Sequence, residues 1–235
     1  MKKFLLLLFI ACVYFSCQEK NTENTMTVTG TVKGLKKGML YLQHISDSAL
    51  VTIDSLDLKG DGNFSFKTEL ESPELFYLYL NKKDNNDIND RITFFGEPGT
   101  ITISTSWNTF DLNAKIEGSA ANKKWEEYQK TMSQFNKRNL ELVRTATDTE
   151  LGLDTLQLDS IGKLSEKNVL RGYLYALNFA LNNADSYVAP YIALNEVADA
   201  NKVYLDSIAN SMTPEVARSK YGKALKKYIE GLKAQ

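Results

Sequence analysis

Cysteine is nearly absent. The 235 residues hold two, Cys12 and Cys17, both before the first polar stretch. A body folded from the rest of the chain has no disulfide, no C-x-x-C redox centre, no cysteine nucleophile and no cysteine-ligated zinc. Histidine is scarcer still: His44 stands alone, so metal sites of several imidazoles are excluded and any Ser/His/Asp triad has to use it. No HExxH occurs, and neither G-x-x-x-x-G-K-[ST] nor G-x-G-x-x-G is present to cradle a phosphate. Excess positive charge is also missing. The 28 basic side chains less Lys2 and Lys3 leave 26 against 29 acidic ones, a formal −3, which gives no field for holding nucleic acid by its phosphates. The longest apolar run, "FLLLLFIACVYF", falls short of the roughly 20 residues that span a bilayer.

What the N-terminus does contain is an address. A basic "MKK", that apolar run and the polar "QEKNTEN" form a secretory signal. Only Ser16 is small ahead of Cys17, which resembles the lipoprotein box of bacteria. That resemblance implies removal of residues 1–16 and lipidation of Cys17, with palmitate among the chains, since one acyl chain alone anchors only marginally. Cys12, inside the apolar run, is the competing site, and an ordinary signal peptide with an incidental cysteine is the third possibility. Residues 17–26 read as a polar tether.

From residue 27 to 118 apolar and polar residues alternate with period two, punctuated every eight to twelve residues, as in short antiparallel strands. The expectation is a β-sandwich or strongly twisted sheet, with Asp61-Gly62 in a tight hairpin turn and Pro98-Gly99 joining two further strands. Over residues 119–235 the period becomes helical. Trp125, Tyr128, Met132, Phe135 and Leu142 mark one long helix, and Leu170, Tyr173, Leu174, Leu177, Ala180 and Leu181 a second. Thr213 caps a last helix with Pro214 in its first turn and Tyr221, Leu225, Tyr228 and Leu232 on one face. The fold class is α+β, a β region followed by a helical region.

Candidates for chemistry are few. His44 shares a strand face with Leu40 and Leu42, where a hydrogen-bonded strand histidine is expected rather than a catalytic base. The acidic loop "KKDNNDIND" invites calcium, but counting from Asp84 the third position is Asn86, the fifth Ile88, the sixth Asn89 instead of glycine and the twelfth Phe95, so the EF-hand pattern fails. A solvated hairpin loop is expected there. The aromatics of "LFYLYL" and "ITFFG" alternate onto both strand faces, as core residues do. With 29 acids in the chain, no pair of glycosidase carboxylates is singled out. The expectations are therefore no catalytic residue, no cofactor and no metal.

Together "GTVKGLKKGMLYLQ", "IDSLDLKGDGNFSF", "ITFFGEPGTITIS" and "IEGSAANKKWEEY" resemble the N-terminal domain of unknown function in envelope lipoproteins of Gram-negative bacteria, where it precedes a thioredoxin-like thiol-disulfide oxidoreductase domain. "SYVAPYIALNEV" and "LDSIANSMTPEVARSKYGKAL" resemble the helical segment leading into that domain. The W-C-x-x-C centre that carries the family's exchange chemistry is missing here. The resemblance implies a protein held in the cell envelope by a lipid anchor, on the outer membrane with a periplasmic or surface face. Its expected role is that of a non-catalytic binding or interaction module. The alternative is an accessory subunit, or truncated form, of a thioredoxin-like oxidoreductase, with a thioredoxin-like protein as partner. A hydrolase working through His44 or an acid pair is the third reading. No nucleic-acid partner is expected.

Overall fold

The computed structural model describes residues 24–46, 48–82 and 90–232. The segment with Cys12 and Cys17, most of the acidic loop (Asp84, Asn86, Ile88 and Asn89 among it) and residues 233–235 lie outside that range. The α+β expectation holds. Strands β1 (Thr25–Lys33), β4 (Asn63–Glu69), β7 (Gly99–Ser106) and β8 (Lys115–Glu117) form one sheet in the order β4-β1-β7-β8. Strands β2 (Lys37–Ser46), β3 (Ala49–Lys59), β5 (Glu74–Asn81) and β6 (Arg91–Gly96) form the other in the order β3-β2-β5-β6. The alternation in the sequence sends Met26, Val28, Phe64, Phe66, Ile101 and Ile103 from the first sheet, and Leu40, Leu42, Phe76, Leu78 and Phe94 from the second, into one buried core.

Two features depart from a stack of hairpins. The ladder between β1 and β7 is parallel, because the chain visits the other sheet twice between these two strands. Asp61-Gly62 does not close a hairpin. It joins β3 to β4, which belong to different sheets, and Gly62 at φ 72° turns the corner while its carbonyl accepts from the Val32 amide at 2.9 Å. Strand alternation reveals direction reversal but not which sheet the chain enters next.

The helices are α1 (Ala120–Thr147), α2 (Thr155–Asn182), α3 (Val188–Asn195), α4 (Lys202–Ser211), α5 (Pro214–Arg218) and α6 (Lys220–Leu232). Asp154 and Gln157 close a reciprocal capping box at the start of α2. The polar stretch between α1 and α2 is the turn of an antiparallel hairpin, whose pairing is marked by Ser165 donating to Asn139 and Asn168 donating to the Phe135 carbonyl. Helix α3 is apolar on most of its surface and sits buried among the others. The last helix starts at Pro214 under a Thr213 cap as expected, but it breaks at Ser219. Ser219 is extended, its hydroxyl donates to the Val216 carbonyl and accepts from the Gly222 amide, and a separate α6 begins beyond it. The apolar stripe read on α2 is likewise split. Tyr173, Leu177, Ala180 and Leu181 pack into the helical core, whereas Leu170 and Leu174 face solvent.

The parallel β1–β7 contact leaves no room beside Gly30, where an added Cβ would lie 1.8 Å from the Ile103 carbonyl oxygen. Gly30→Ala is expected to destabilise the fold by roughly 3 kcal/mol through forced separation of the two strands, read as a lower midpoint with unchanged slope in chemical denaturation.

Candidate functional site

The sheet containing β5 and β6 is covered on both sides. Alternate residues Phe76, Leu78 and Phe94 enter the sandwich, and their neighbours Leu75, Tyr77 and Phe95 face the helices. Phe95 meets Trp125 at 6.3 Å, Tyr191 at 5.9 Å and Tyr221 at 6.0 Å between ring centroids. The aromatics of "LFYLYL" and "ITFFG" are thus core on both faces, as their alternation implies. Burial pushes the Tyr191 phenol up to about 12, and it raises Tyr128 and Tyr221 further still. Lesser contributions come from neighbouring carboxylates, Glu196 at Tyr128 and Glu74 at Tyr221, while the Leu75 amide donating to the Tyr221 hydroxyl at 3.3 Å pulls the other way.

At one end of this junction β2, β5 and α6 bring His44, Glu74 and Lys220 together. Glu74 is buried, and His44 Nδ1 lies 3.1 Å from its Oε1. Lys220 Nζ contacts Glu74 Oε2 and donates to the Ile45 carbonyl at 2.6 Å. The Lys220 amide donates to Ser72 Oγ at 2.9 Å. The His44 ring stacks on Phe76 at 5.8 Å. These groups line a cleft of about 520 Å³ shared with Ser46, Glu69 and Ser72. Chemically the carboxylate is spoken for: it neutralises an ammonium and orients an imidazole, and no hydroxyl among the described residues is hydrogen-bonded to His44. The trio latches α6 onto the sheet. His44 is half-buried and hydrogen-bonded, as a strand histidine is expected to be.

Asp90, the last residue of the acidic loop, is buried against Lys82 at the loop's base. Among the described residues no group of three or more His, Asp or Glu is placed to hold a metal. Cys17, the expected lipidation site, lies outside them.

The second candidate surface is the α1–α2 hairpin. The first turns of α1 and the last of α2 are buried, but from about residue 129 to residue 171 the two helices touch chiefly each other, and Leu142 is the one residue buried there. The hairpin projects as an arm. It carries Leu140, Leu151, Leu156, Leu164 and Leu170 in the open, Leu156 at 77% exposure. Periodicity had no means of finding these, because an apolar residue facing solvent has the same spacing as one facing a core. The latch residues Glu74 and Lys220 were equally silent. Only the serine that starts α1, Ser119 in "GSAANKKW", carries a readable signal, that of an N-cap.

Residues 26–125 match a family described as Domain of unknown function (DUF4369). A DUF4369 domain covers this stretch. It takes in the whole sandwich and runs on to Trp125, so the part of α1 that packs on β6 falls within the DUF4369 segment while the arm lies beyond it. No curated protein and no solved structure matches the chain.

Two outcomes are expected at the junction. Below pH about 10 the buried phenols are protonated in both folded and unfolded chains. Above it the unfolded chain releases protons that the folded chain retains, so stability falls as pH rises from there through about 12, where Tyr191 ionises. Absorbance titration of phenolate should show late-titrating tyrosines that become ordinary in denaturant. Lys220→Ala leaves Glu74 buried with only His44 as ionic partner and is expected to cost about 1–3 kcal/mol, measured by denaturation.

Proposed function

We propose that this chain is a lipid-anchored protein of the cell envelope that works as an interaction module and carries out no chemistry of its own. One observation carries the reading: a helical arm extends from the packed body and holds its leucines in water instead of burying them. Several leucines held in water on one arm outside the packed body cost solubility, and a usual use of exposed apolar surface is contact with another surface. The signal-like N-terminus ending at Cys17 supports an anchor on the outer membrane, which would hold the DUF4369 segment and the arm beside membrane-bound partners. The finer reading, partnership with a thioredoxin-like oxidoreductase, is supported by the resemblance of "SYVAPYIALNEV" and the following stretch to the segment that leads into such domains, and by the DUF4369 match ahead of it.

Both halves of the proposal are testable in cells. Cys17→Ala should abolish palmitate labelling and release the protein from membranes; labelling that persists moves the anchor to Cys12 or removes it. Photo-crosslinking from Leu156 or Leu164 should capture a defined envelope protein, and crosslinking from Lys67 on the sandwich should not. Recovery of a thioredoxin-fold protein supports the finer reading. Equal, diffuse capture from both positions overturns the arm as a docking surface.

A further inference from the structure

We infer that the arm's docking surface takes a second copy of the same chain, packed antiparallel against the side that bears Gly162. The inference deepens the reading of the arm as an interaction surface and rests on it.

The side in question is identified by a groove of about 220 Å³ near the base of the arm, lined by Asn136 and Asn139 from α1, by Asn168, Val169 and Tyr173 from α2, and by Glu196 from beyond the hairpin. Side chains three, four or seven residues apart share one side of a helix. Leu140 and Val143 therefore continue the row of Asn136 toward the tip, and Gly162 and Leu158 continue the row of Val169. Leu140, Val143, Leu158 and Val169 are 70%, 48%, 41% and 57% exposed. Positions 129, 133, 136, 140, 143 and 147 of α1 and 155, 158, 162, 165 and 169 of α2 carry no charge, and the charges nearest them on α2 are Asp159 and Glu166, three and four residues from Gly162. At the centre of this side stands Gly162, with nothing within 4 Å of where its Cβ would be.

Charge along the arm decides the occupant and its direction. The tip, residues 145–160, holds Asp148, Glu150, Asp154 and Asp159 and no Lys or Arg. The shank, residues 130–144 and 161–171, holds seven Lys and Arg against Glu141 and Glu166. Two arms laid parallel would set acidic tip on acidic tip. Laid antiparallel, each tip lies over the other's basic shank, and a two-fold axis across the arm satisfies both contacts at once. The apolar residues obey the same symmetry. Leu158 and Val169 are equidistant from the point between residues 163 and 164, and Leu140 and Val143 from the point between 141 and 142. The hydrogen bond of Ser165 to Asn139 sets these two midpoints at the same height to within about one residue, a rise of about 1.5 Å. One axis then pairs Leu158 with Val169 of the partner copy beside Gly162, where the missing side chain permits close approach.

A face about 25 Å long and two helices wide buries on the order of 1,000 Å² over both copies, the lower bound for a specific interface. Such a contact is weak in free solution and is favoured where chains are concentrated on a membrane.

The experiment is disulfide crosslinking in cells of the full chain carrying Gly162→Cys or, separately, Thr149→Cys at the tip, with the unaltered chain as reference for Cys17. Near the two-fold, two cysteines at position 162 come within disulfide reach; at position 149 they are an arm's length apart. Most of the Gly162→Cys chain is expected to shift to a reductant-sensitive homodimer, with the Thr149→Cys chain staying monomeric. Dimer from Thr149→Cys instead means parallel packing and overturns the inference. A Gly162→Cys adduct with a different protein also overturns it, while leaving the arm as a docking surface. If neither chain crosslinks, the second copy is ruled out. Gly162→Arg guards against misreading a folding defect, since replacing an exposed mid-helix glycine raises helix propensity. It should keep or raise the thermal midpoint, yet abolish capture of an untagged copy by a tagged one. Retained self-capture would count against this face.

Discussion

Strand β6 is an edge, and the outward amide and carbonyl of Phe95 would be left open there by the sheet alone. Both are satisfied by the start of α1: the Phe95 amide donates to Asn122 Oδ1 at 2.9 Å, and Ser119 Oγ donates to the Phe95 carbonyl at 3.0 Å. The same Ser119 oxygen accepts from the Asn122 amide at 2.8 Å, capping the helix, and the Glu97 carboxylate accepts from the Ala120 and Ala121 amides. Two orphan sets, a strand edge and a helix N-terminus, cancel each other. Every one of these polar groups is far more costly to bury alone than paired.

From that joint the rest of the helical layer follows. Fixing the first turn of α1 against β6 brings Trp125 over Phe95, and the stacked rings of Trp125 and Tyr128, 5.7 Å apart, seat α2 and α3 through Tyr175, Phe179 and Tyr191. Helix α6 closes the far side, held by the Glu74–Lys220 latch and by Tyr221. The sheet thereby gains a second buried face, and the sandwich and the base of the helices pack as continuous layers. The arm is what this arrangement leaves over. Helices α1 and α2 are 28 residues each, about 42 Å, which is longer than the surface they cover.

The latch and the arm bear differently on function. A carboxylate shared between an ammonium and an imidazole is held in place by both, and it ties α6 to the sheet. The arm contributes little to that cohesion beyond its own pairing. Leu140, Leu151, Leu156, Leu164 and Leu170 on it are half or more exposed, and its charge is segregated into an acidic tip and a basic shank.

Period and punctuation in the sequence determined the element types. Alternation through "NFSF" and "LFYLYL" dictates strands with one apolar side or two, and 3.6-residue recurrence after Ser119 dictates helices, because burial of apolar side chains is a local consequence of backbone geometry. The N-cap at Ser119, the capping box at Asp154 and the start at Pro214 were written locally too. Only the tertiary structure decided what required two distant segments to meet. The parallel pairing of β1 with β7, the sheet crossing at Gly62 and the meeting of His44 and Glu74 with Lys220 all depend on partners dozens of residues away. The same holds for Leu170 and Leu174, whose spacing is that of core residues and whose exposure follows from how far α2 outruns the helices that cover its other end.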